Sequence, residues 1–226
     1  MNYEFQHTLM VVNNDKLQAC LGDETLVVCG SPRGMTSLVA YFLYESGYFL
    51  GNYLGAKNFE DQEFLKVIKP AEVSAEPLQS LQAYQYLVKS RNEAHRRWGF
   101  KLPHAAGHVE SLNTTLRNPV FVFCVRNPVA TARSITKYEN PQNFSAGKLM
   151  EIATRHFSNM VTMCQSQDTP SIFIDMEAVK QHPGAFLQEL ATALKLPQPT
   201  SELAQRISSK GYKTASLRPG VTFKPQ

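Results

Sequence analysis

The sequence has 226 residues, of which 43% are apolar and 19% charged, a balance that excludes a disordered, collagen-like or coiled-coil chain. A chain of this length can bury a core without disulfides or a structural metal, so we expect one domain over residues 1–226. The formal net charge is only +4 and there is no polybasic block, so the sequence does not indicate a protein that binds nucleic acid. No apolar run approaches the roughly 20 residues of a membrane span, so we expect a soluble, cytoplasmic protein.

The four cysteines show no spacing typical of a metal or redox site. Two of them, Cys29 and Cys124, lie inside apolar runs. We interpret all four as reduced thiols of the core, namely Cys20, Cys29, Cys124 and Cys164.

Three short, continuously apolar runs predict strands that are buried on both faces, at residues 26–29, 120–125 and 172–174. A turn and a helical pattern follow each of them. This alternation predicts an α/β fold with three layers, helix, sheet and helix, around a central parallel sheet. Ligands of such sheets bind at the carboxyl ends of the strands, so we expect the site there.

The segment after the first strand, residues 30–37, reads Gly-Ser-Pro-Arg-Gly-Met-Thr-Ser and leads directly into a helix. Backbone N–H groups at the helix start, the Arg33 cation and the hydroxyls of Thr36 and Ser37 could converge on one phosphate. The alternative is a plain strand–helix turn that Thr36 or Ser37 caps. The segment is not a Walker A motif, because Met35 stands where that motif has lysine, which disfavours a nucleotide hydrolase or an ordinary kinase.

Charged side chains also follow the other two strands. Arg126 ends the second strand, and Ser134 lies about two turns into the helix that Pro128 begins, so both could reach one anion. The alternative is a solvated arginine and a serine on the helix surface. Asp175 follows the third strand and could be a metal ligand, but the missing P-loop lysine favours a surface or capping role.

Residues 30–37 and the segment from Arg126 to Ser134 together resemble the two cofactor motifs of the sulfotransferase family, which uses 3'-phosphoadenosine 5'-phosphosulfate (PAPS). Residues 58–61, Asn-Phe-Glu-Asp, and 98–104, Trp-Gly-Phe-Lys-Leu-Pro-His, resemble segments of bacterial members. The resemblance implies a P-loop NTPase-like sulfotransferase fold with PAPS as the cofactor. Because sulfuryl transfer needs positioned cations and no covalent intermediate, we expect no metal. The cofactor-binding residues that it implies are Ser31, Arg33, Gly34, Met35, Thr36, Ser37, Arg126, Ser134, Lys210 and Gly211.

Two positions depart from the family's pattern. Met35 stands where the family usually has glycine, and a left-handed backbone there would cost a residue other than glycine roughly 1–2 kcal/mol. Lys210 and Gly211 match only two residues of the element that relatives fold over the 3'-phosphate. The alternative for Lys210 and Lys213 is a flexible basic tail.

The activity that the resemblance implies is transfer of a sulfuryl group to a hydroxyl of a glycan or a small metabolite. We expect Arg33 to neutralise the leaving phosphate and Lys101 to stabilise the transferring group, unless Lys101 is an exposed lysine at a strand end. The base is either His104, whose ordinary pKa of about 6.5 suits the task, or Glu60. Two further hypotheses are a P-loop small-molecule kinase and an inactive nucleotide-binding module, the latter favoured by Met35.

Two features of the sequence allow more than one interpretation. Aromatic residues could line an acceptor or adenine pocket, although most are expected in the core, namely Tyr48, Tyr53, Tyr84, Trp98 and Phe100. Residues 65–97 fit both a helical pattern and a loop.

Overall fold

The computed structural model describes residues 2–74, 76–137, 143–166, 169–209, 211 and 213–225. Its strands are β1 (Tyr3–Phe5), β2 (Leu9–Val12), β3 (Thr25–Gly30), β4 (Tyr53–Gly55), β5 (Trp98–Lys101), β6 (Pro119–Val125), β7 (Ser171–Asp175) and β8 (Thr222–Lys224). Its helices are α1 (Asn14–Cys20), α2 (Thr36–Glu45), α3 (Gln62–Ser74), α4 (Gln82–Ala94), α5 (Val109–Thr115), α6 (Pro128–Ile135), α7 (Ala146–Thr154), α8 (Phe157–Ser166), α9 (Met176–Gln181), α10 (Pro183–Ala193) and α11 (Ser201–Ser208). Short 3-10 turns cover Leu78–Ser80 and Pro103–Gly107. None of the helices in these ranges has the length and apolar character needed to cross a membrane.

Six strands form the main sheet in the order β1-β2-β7-β6-β3-β5. The four strands β5, β3, β6 and β7 run parallel, with Val28 opposite Lys101 and Val125 opposite Asp175. The predicted α/β fold with a central parallel sheet is therefore confirmed. Two antiparallel strands, β2 beside β7 and β1 beside β2, extend one edge of it and were not among the predicted strands.

Successive residues of the central strands pack into two cores, one on each face of the sheet. In β3, Leu26 and Val28 belong to the core under α2, α9 and α10, whereas Val27 and Cys29 belong to the core under α3, α4 and α5. These four side chains are completely buried. Burial on both faces explains why the three predicted strands are apolar at every position rather than at alternate positions.

Aromatic side chains contribute mainly to these cores. Of the five that could have lined a pocket, four are buried and Tyr53 is half-buried. Phe64 of α3 stacks on Phe100 of β5 with ring centroids 4.1 Å apart, which fixes α3 against the sheet. The segment 65–97, for which two interpretations stayed open, consists mainly of α3 and α4.

The cysteines follow the prediction only in part. Cys29 and Cys124 are buried, as expected of core thiols, whereas Cys20 is half-buried and the side chain of Cys164 lies outside the described residues. Burial raises the pKa of Cys124 to about 12 and that of Cys29 well above its usual range. Both buried thiols therefore stay protonated.

After α11 the chain returns to α2 and to β4. β8 pairs in parallel with β4, with Tyr53 opposite Thr222. The Ser216 N–H donates to the Glu45 carboxylate at 2.8 Å, and the Tyr44 hydroxyl donates to the Ser216 carbonyl at 2.8 Å. The segment from Ser216 to Lys224 is thus docked on the fold, whereas Lys210, for which a flexible tail was the alternative, lies outside the described residues.

Candidate functional site

The carboxyl ends of the four parallel strands bring most of the predicted site residues to one edge of the sheet. The β3–α2 loop follows β3, Lys101 ends β5, and Arg126 follows β6 directly. This is the edge at which open α/β sheets bind ligands.

The β3–α2 loop depends on two glycines. A Cβ atom on Gly30 would lie 2.6 Å from the carbonyl oxygen of Cys124, and one on Gly34 would lie 2.6 Å from that of Ser31. The Gly34 N–H donates to the same Ser31 carbonyl at 2.9 Å, which closes the turn. Larger residues at positions 30 and 34 would therefore require the backbone to move.

Met35 adopts a left-handed backbone with φ of 63° and occupies the cap position immediately before α2. Arg33 is left-handed as well, with φ of 62°. The conformation that favours glycine is thus present at Met35, and it costs roughly 1–2 kcal/mol. Because α2 begins at Thr36 and Met35 is the cap residue, neither Thr36 nor Ser37 caps the helix, contrary to that part of the alternative.

Two hydrogen bonds join the β3–α2 loop to the second predicted motif. Arg33 Nε donates to Ser134 Oγ at 3.3 Å, and Arg126 Nη1 donates to the Arg33 carbonyl oxygen at 2.8 Å. Arg126 Nε lies 3.6 Å from Glu177 Oε1, and this buried N–H has no hydrogen-bond partner among the described residues. Two guanidinium groups and a hydroxyl therefore lie together where an anion could be held.

The start of α6 fixes the helix that carries Ser134. Asn127 Oδ1 accepts hydrogen bonds from the N–H groups of Val129 and Ala130 at 2.9 and 3.1 Å, and Pro128 occupies the first turn. Ser134 lies in the last turn of α6, where it meets Arg33.

Lys101 is buried at the end of β5, so the alternative of an exposed lysine is wrong. Its side chain is 2% exposed, and its Nζ lies 3.0 Å from Glu60 Oε1. Burial lowers the pKa of Lys101, against the opposing effect of the Glu60 carboxylate. Lys101 pairs with Val28 of β3, two residues before Gly30 ends that strand, and the like charge of Arg33 also lowers the pKa of Lys101. Lys101 thus presents a buried, paired cation beside the predicted anion site.

Glu60 belongs to a tight turn that residues 55–60 form after β4. The Gly55 N–H donates to the Glu60 carbonyl at 2.9 Å, and the Glu60 N–H donates to Asn58 Oδ1 at 3.1 Å. A further bond, from the Asp61 N–H to the Lys101 carbonyl at 3.2 Å, connects this turn to β5. Hydrogen bonds of both the backbone and the side chains therefore hold Glu60 next to Lys101.

Asp61 neighbours the site and was not among the predicted site residues. It is completely buried, and its Oδ1 accepts hydrogen bonds from the N–H groups of Glu63 and Phe64 at the start of α3. Its Oδ2 lies 3.2 Å from Arg91 Nη2. Burial raises the pKa of Asp61 to about 6, and Arg91 offsets only part of that effect. An aspartate directly before a helical pattern is the signal that could have indicated this cap.

The remaining predicted residues have different placements. His104 lies half-buried in the 3-10 turn Pro103–Gly107, just after Lys101. Lys210 lies outside the described residues, Gly211 is exposed, and Lys213 Nζ donates to Ser209 Oγ at 2.8 Å.

Asp175 has the capping role that the sequence analysis favoured over a metal ligand. Its Oδ1 accepts hydrogen bonds from the N–H groups of Glu177 and Ala178 at 2.9 and 3.1 Å, at the start of α9. The carboxylate therefore serves the helix that also carries Glu177, the neighbour of Arg126.

No protein-family model and no curated protein matches the sequence. Two solved structures share its architecture. The sulfotransferase domain from the curacin biosynthetic pathway is 16% identical over 84% of this chain and 79% of that chain, with a TM-score of 0.51. Sulfotransferase STF1 from Mycobacterium tuberculosis is 14% identical over 88% of this chain and 74% of that chain, with a TM-score of 0.50. The chain therefore has a sulfotransferase fold, as its two motifs implied.

Proposed function

We propose that the protein is a sulfotransferase that uses PAPS to transfer a sulfuryl group to a hydroxyl of a glycan or a small metabolite. The observation that carries this proposal is the contact between the two motifs, in which Arg33 binds Ser134 and Arg126 binds the Arg33 backbone. These contacts lie at the ligand-binding edge of a fold that solved sulfotransferases share.

The residues at this edge fit the two anionic groups of PAPS. The N–H groups at the start of α2 and the Arg33 guanidinium would hold the 5'-phosphosulfate, whereas Arg126 and Ser134 would hold the 3'-phosphate. The buried Nε of Arg126 supports this assignment, because it makes an ion pair with Glu177 at 3.6 Å but no hydrogen bond among the described residues, and a phosphate oxygen would supply one. By resemblance, Lys210 and Gly211 would add to the 3'-phosphate site.

Bound PAPS supplies the sulfuryl group and a phosphate as the leaving group. Arg33 would neutralise the charge that develops on that phosphate, and Lys101 would stabilise the sulfuryl group in transfer. Because Lys101 is buried, its charge acts in a medium of low dielectric constant, where electrostatic attraction is stronger than in water.

Glu60 is our first candidate for the base that accepts the proton of the acceptor hydroxyl. Its side chain is 19% exposed, so an acceptor can approach it, and its Oε1 contacts Lys101 directly. His104, in the turn after Lys101, is the second candidate. Glu60→Gln and His104→Gln distinguish them, because only loss of the acting base should lower kcat while leaving cofactor affinity unchanged.

Calorimetric titration with adenosine 3',5'-bisphosphate tests the proposed cofactor. We expect micromolar affinity, about −8 kcal/mol, without magnesium, and weaker binding of ATP with magnesium. Preferred binding of ATP with magnesium would favour the kinase hypothesis. Binding of neither ligand would favour a module without this activity.

Arg126→Ala tests the 3'-phosphate site within the same titration. We expect it to weaken bisphosphate binding about 10- to 100-fold, the effect of losing a hydrogen bond to a charged group. The affinity for adenosine 5'-phosphate should stay nearly unchanged, because that ligand has no 3'-phosphate. Arg133→Ala replaces an exposed arginine of α6 and is the control, which should bind both ligands normally. Equal losses for the two ligands would contradict the role of Arg126.

A further inference from the structure

Phe223 of β8 completes an aromatic cluster beside the turn that carries Glu60. Its ring centroid lies 6.1 Å from that of Phe59 and 5.8 Å from that of Tyr44, both in edge-to-face contact. Phe59 also contacts Tyr41 and Tyr44, each at 5.7 Å between centroids. Phe59 is only 1% exposed and directly precedes Glu60, so the position of its ring constrains the Glu60 backbone.

The backbone of β8 reaches the same turn through β4. The Thr222 N–H donates to the Asn52 carbonyl at 2.7 Å, and Lys224 pairs with Gly55. Gly55 makes two hydrogen bonds within the turn, both at 2.9 Å. The Gly55 N–H donates to the Glu60 carbonyl, and the Gly55 carbonyl accepts from the Phe59 N–H. β8 therefore holds the strand from which the turn begins.

The turn is strained and needs this support. Phe59 has a φ of 59°, a left-handed conformation that aromatic residues disfavour. A Cβ atom on Gly55 would lie 1.9 Å from Asn58 Oδ1, so the backbone and the Asn58 side chain are in close contact. Strained residues persist only where the surrounding structure holds them, and here the rings around Phe59 do so.

We infer that Phe223 is a positioning residue for Glu60. By keeping Phe59 in its left-handed conformation, Phe223 keeps the Glu60 carboxylate 3.0 Å from Lys101 Nζ. The inference rests on the proposed function, in which Glu60 accepts the acceptor's proton. Among the described contacts, Phe223 makes none to Arg33, Arg126 or Ser134, so its effect should fall on turnover and not on cofactor binding.

Phe223→Ala in the full chain tests this role through two measurements. We expect kcat to fall about 10- to 100-fold, the effect of a misplaced catalytic group, with unchanged affinity for adenosine 3',5'-bisphosphate. Hydrogen exchange at the Gly55 and Phe59 amides should be faster than in the wild-type chain. Leu217→Ala is the matched control, because Leu217 lies in the same tail and is 91% exposed. It should change neither measurement.

Phe223→Leu keeps an apolar side chain at this position, and it tests the positioning role if the alanine variant does not fold. It should show a smaller increase of the exchange rate and a smaller loss of kcat than Phe223→Ala. Wild-type kcat and wild-type exchange in the folded variants would overturn the inference, and so would a loss of bisphosphate affinity as large as the loss of kcat. Because exchange requires no turnover, it tests the positioning of the turn even if the proposed function fails. Failure of the proposed function would appear separately, as a wild-type chain that does not bind the bisphosphate.

Discussion

At the scale of single residues, Met35 combines an unfavourable backbone with a favourable side-chain environment. Its left-handed conformation is one that glycine adopts without cost, and a Cβ atom makes it less stable by roughly 1–2 kcal/mol. Its side chain is partly buried and packs against the core that contains α2. The conformation at Met35 therefore persists because the side-chain packing and the adjoining helix hold it.

Met35→Gly and Met35→Ala separate these two contributions. Both variants remove the side-chain packing, but only glycine also relieves the left-handed strain. We expect Met35→Gly to be more stable than Met35→Ala by about 1 kcal/mol in the free energy of unfolding, measured in urea. Equal stabilities would show that the backbone at position 35 is not strained.

At the scale of elements, the start of α3 is fixed by a carboxylate that has no access to water. Asp61 caps α3, contacts Arg91 of α4, and binds the end of β5 through its N–H group. Space at its side chain is limited, because a Cβ atom on Gly51 would lie 2.5 Å from Asp61 Oδ2. Three elements around the candidate base thus meet at one ionisable group.

Asp61 should make stability depend on pH in a defined direction. Its pKa rises from 3.8 to about 6 on folding, so the folded chain binds the proton more tightly than the unfolded chain. The stabilisation that the folded chain gains from protonated Asp61 is complete below about pH 4 and is lost as the pH rises through about 6. Relative to Asp61→Asn, the free energy of unfolding of the wild-type chain should therefore fall by about 3 kcal/mol across this window. Urea unfolding at a series of pH values measures this, and parallel profiles would contradict it.

The elements that the sequence predicts best are those with a local signal. β3, β6 and β7 are continuous apolar runs, and Pro128 marks the start of α6 within the sequence itself. The Glu60–Lys101 pair has no local signal, because its two residues are 41 positions apart in the sequence. Lys101 is buried because Glu60 is there to pair with it. β4 and β8 are only three residues each, and β8 is largely exposed, so no pattern within them indicates their pairing.

At the scale of the whole molecule, the two cores share the strands that separate them. Trp98, the single tryptophan, lies in one core, and Ile172 of β7 lies in the other. Residues of β3 alternate between these cores, so loss of packing on one face displaces side chains on the other face. We therefore expect the two faces to unfold together.

Unfolding in urea, followed by Trp98 fluorescence and by far-ultraviolet circular dichroism, should give coincident transitions. Ile172→Val, on the face opposite to Trp98, should lower both midpoints equally, by an amount equivalent to about 1 kcal/mol. A fluorescence transition that stays in place while the dichroism transition shifts would show that the two cores unfold separately.

Cys29 and Cys124 lie on neighbouring strands but belong to opposite cores, and both are closed to solvent. Thiol reagents react with the thiolate, which burial suppresses at both positions. Labelling of either cysteine therefore requires the helices that cover its face of the sheet to move away. The two labelling rates measure how often each face opens, at the two strands that lead into the candidate site.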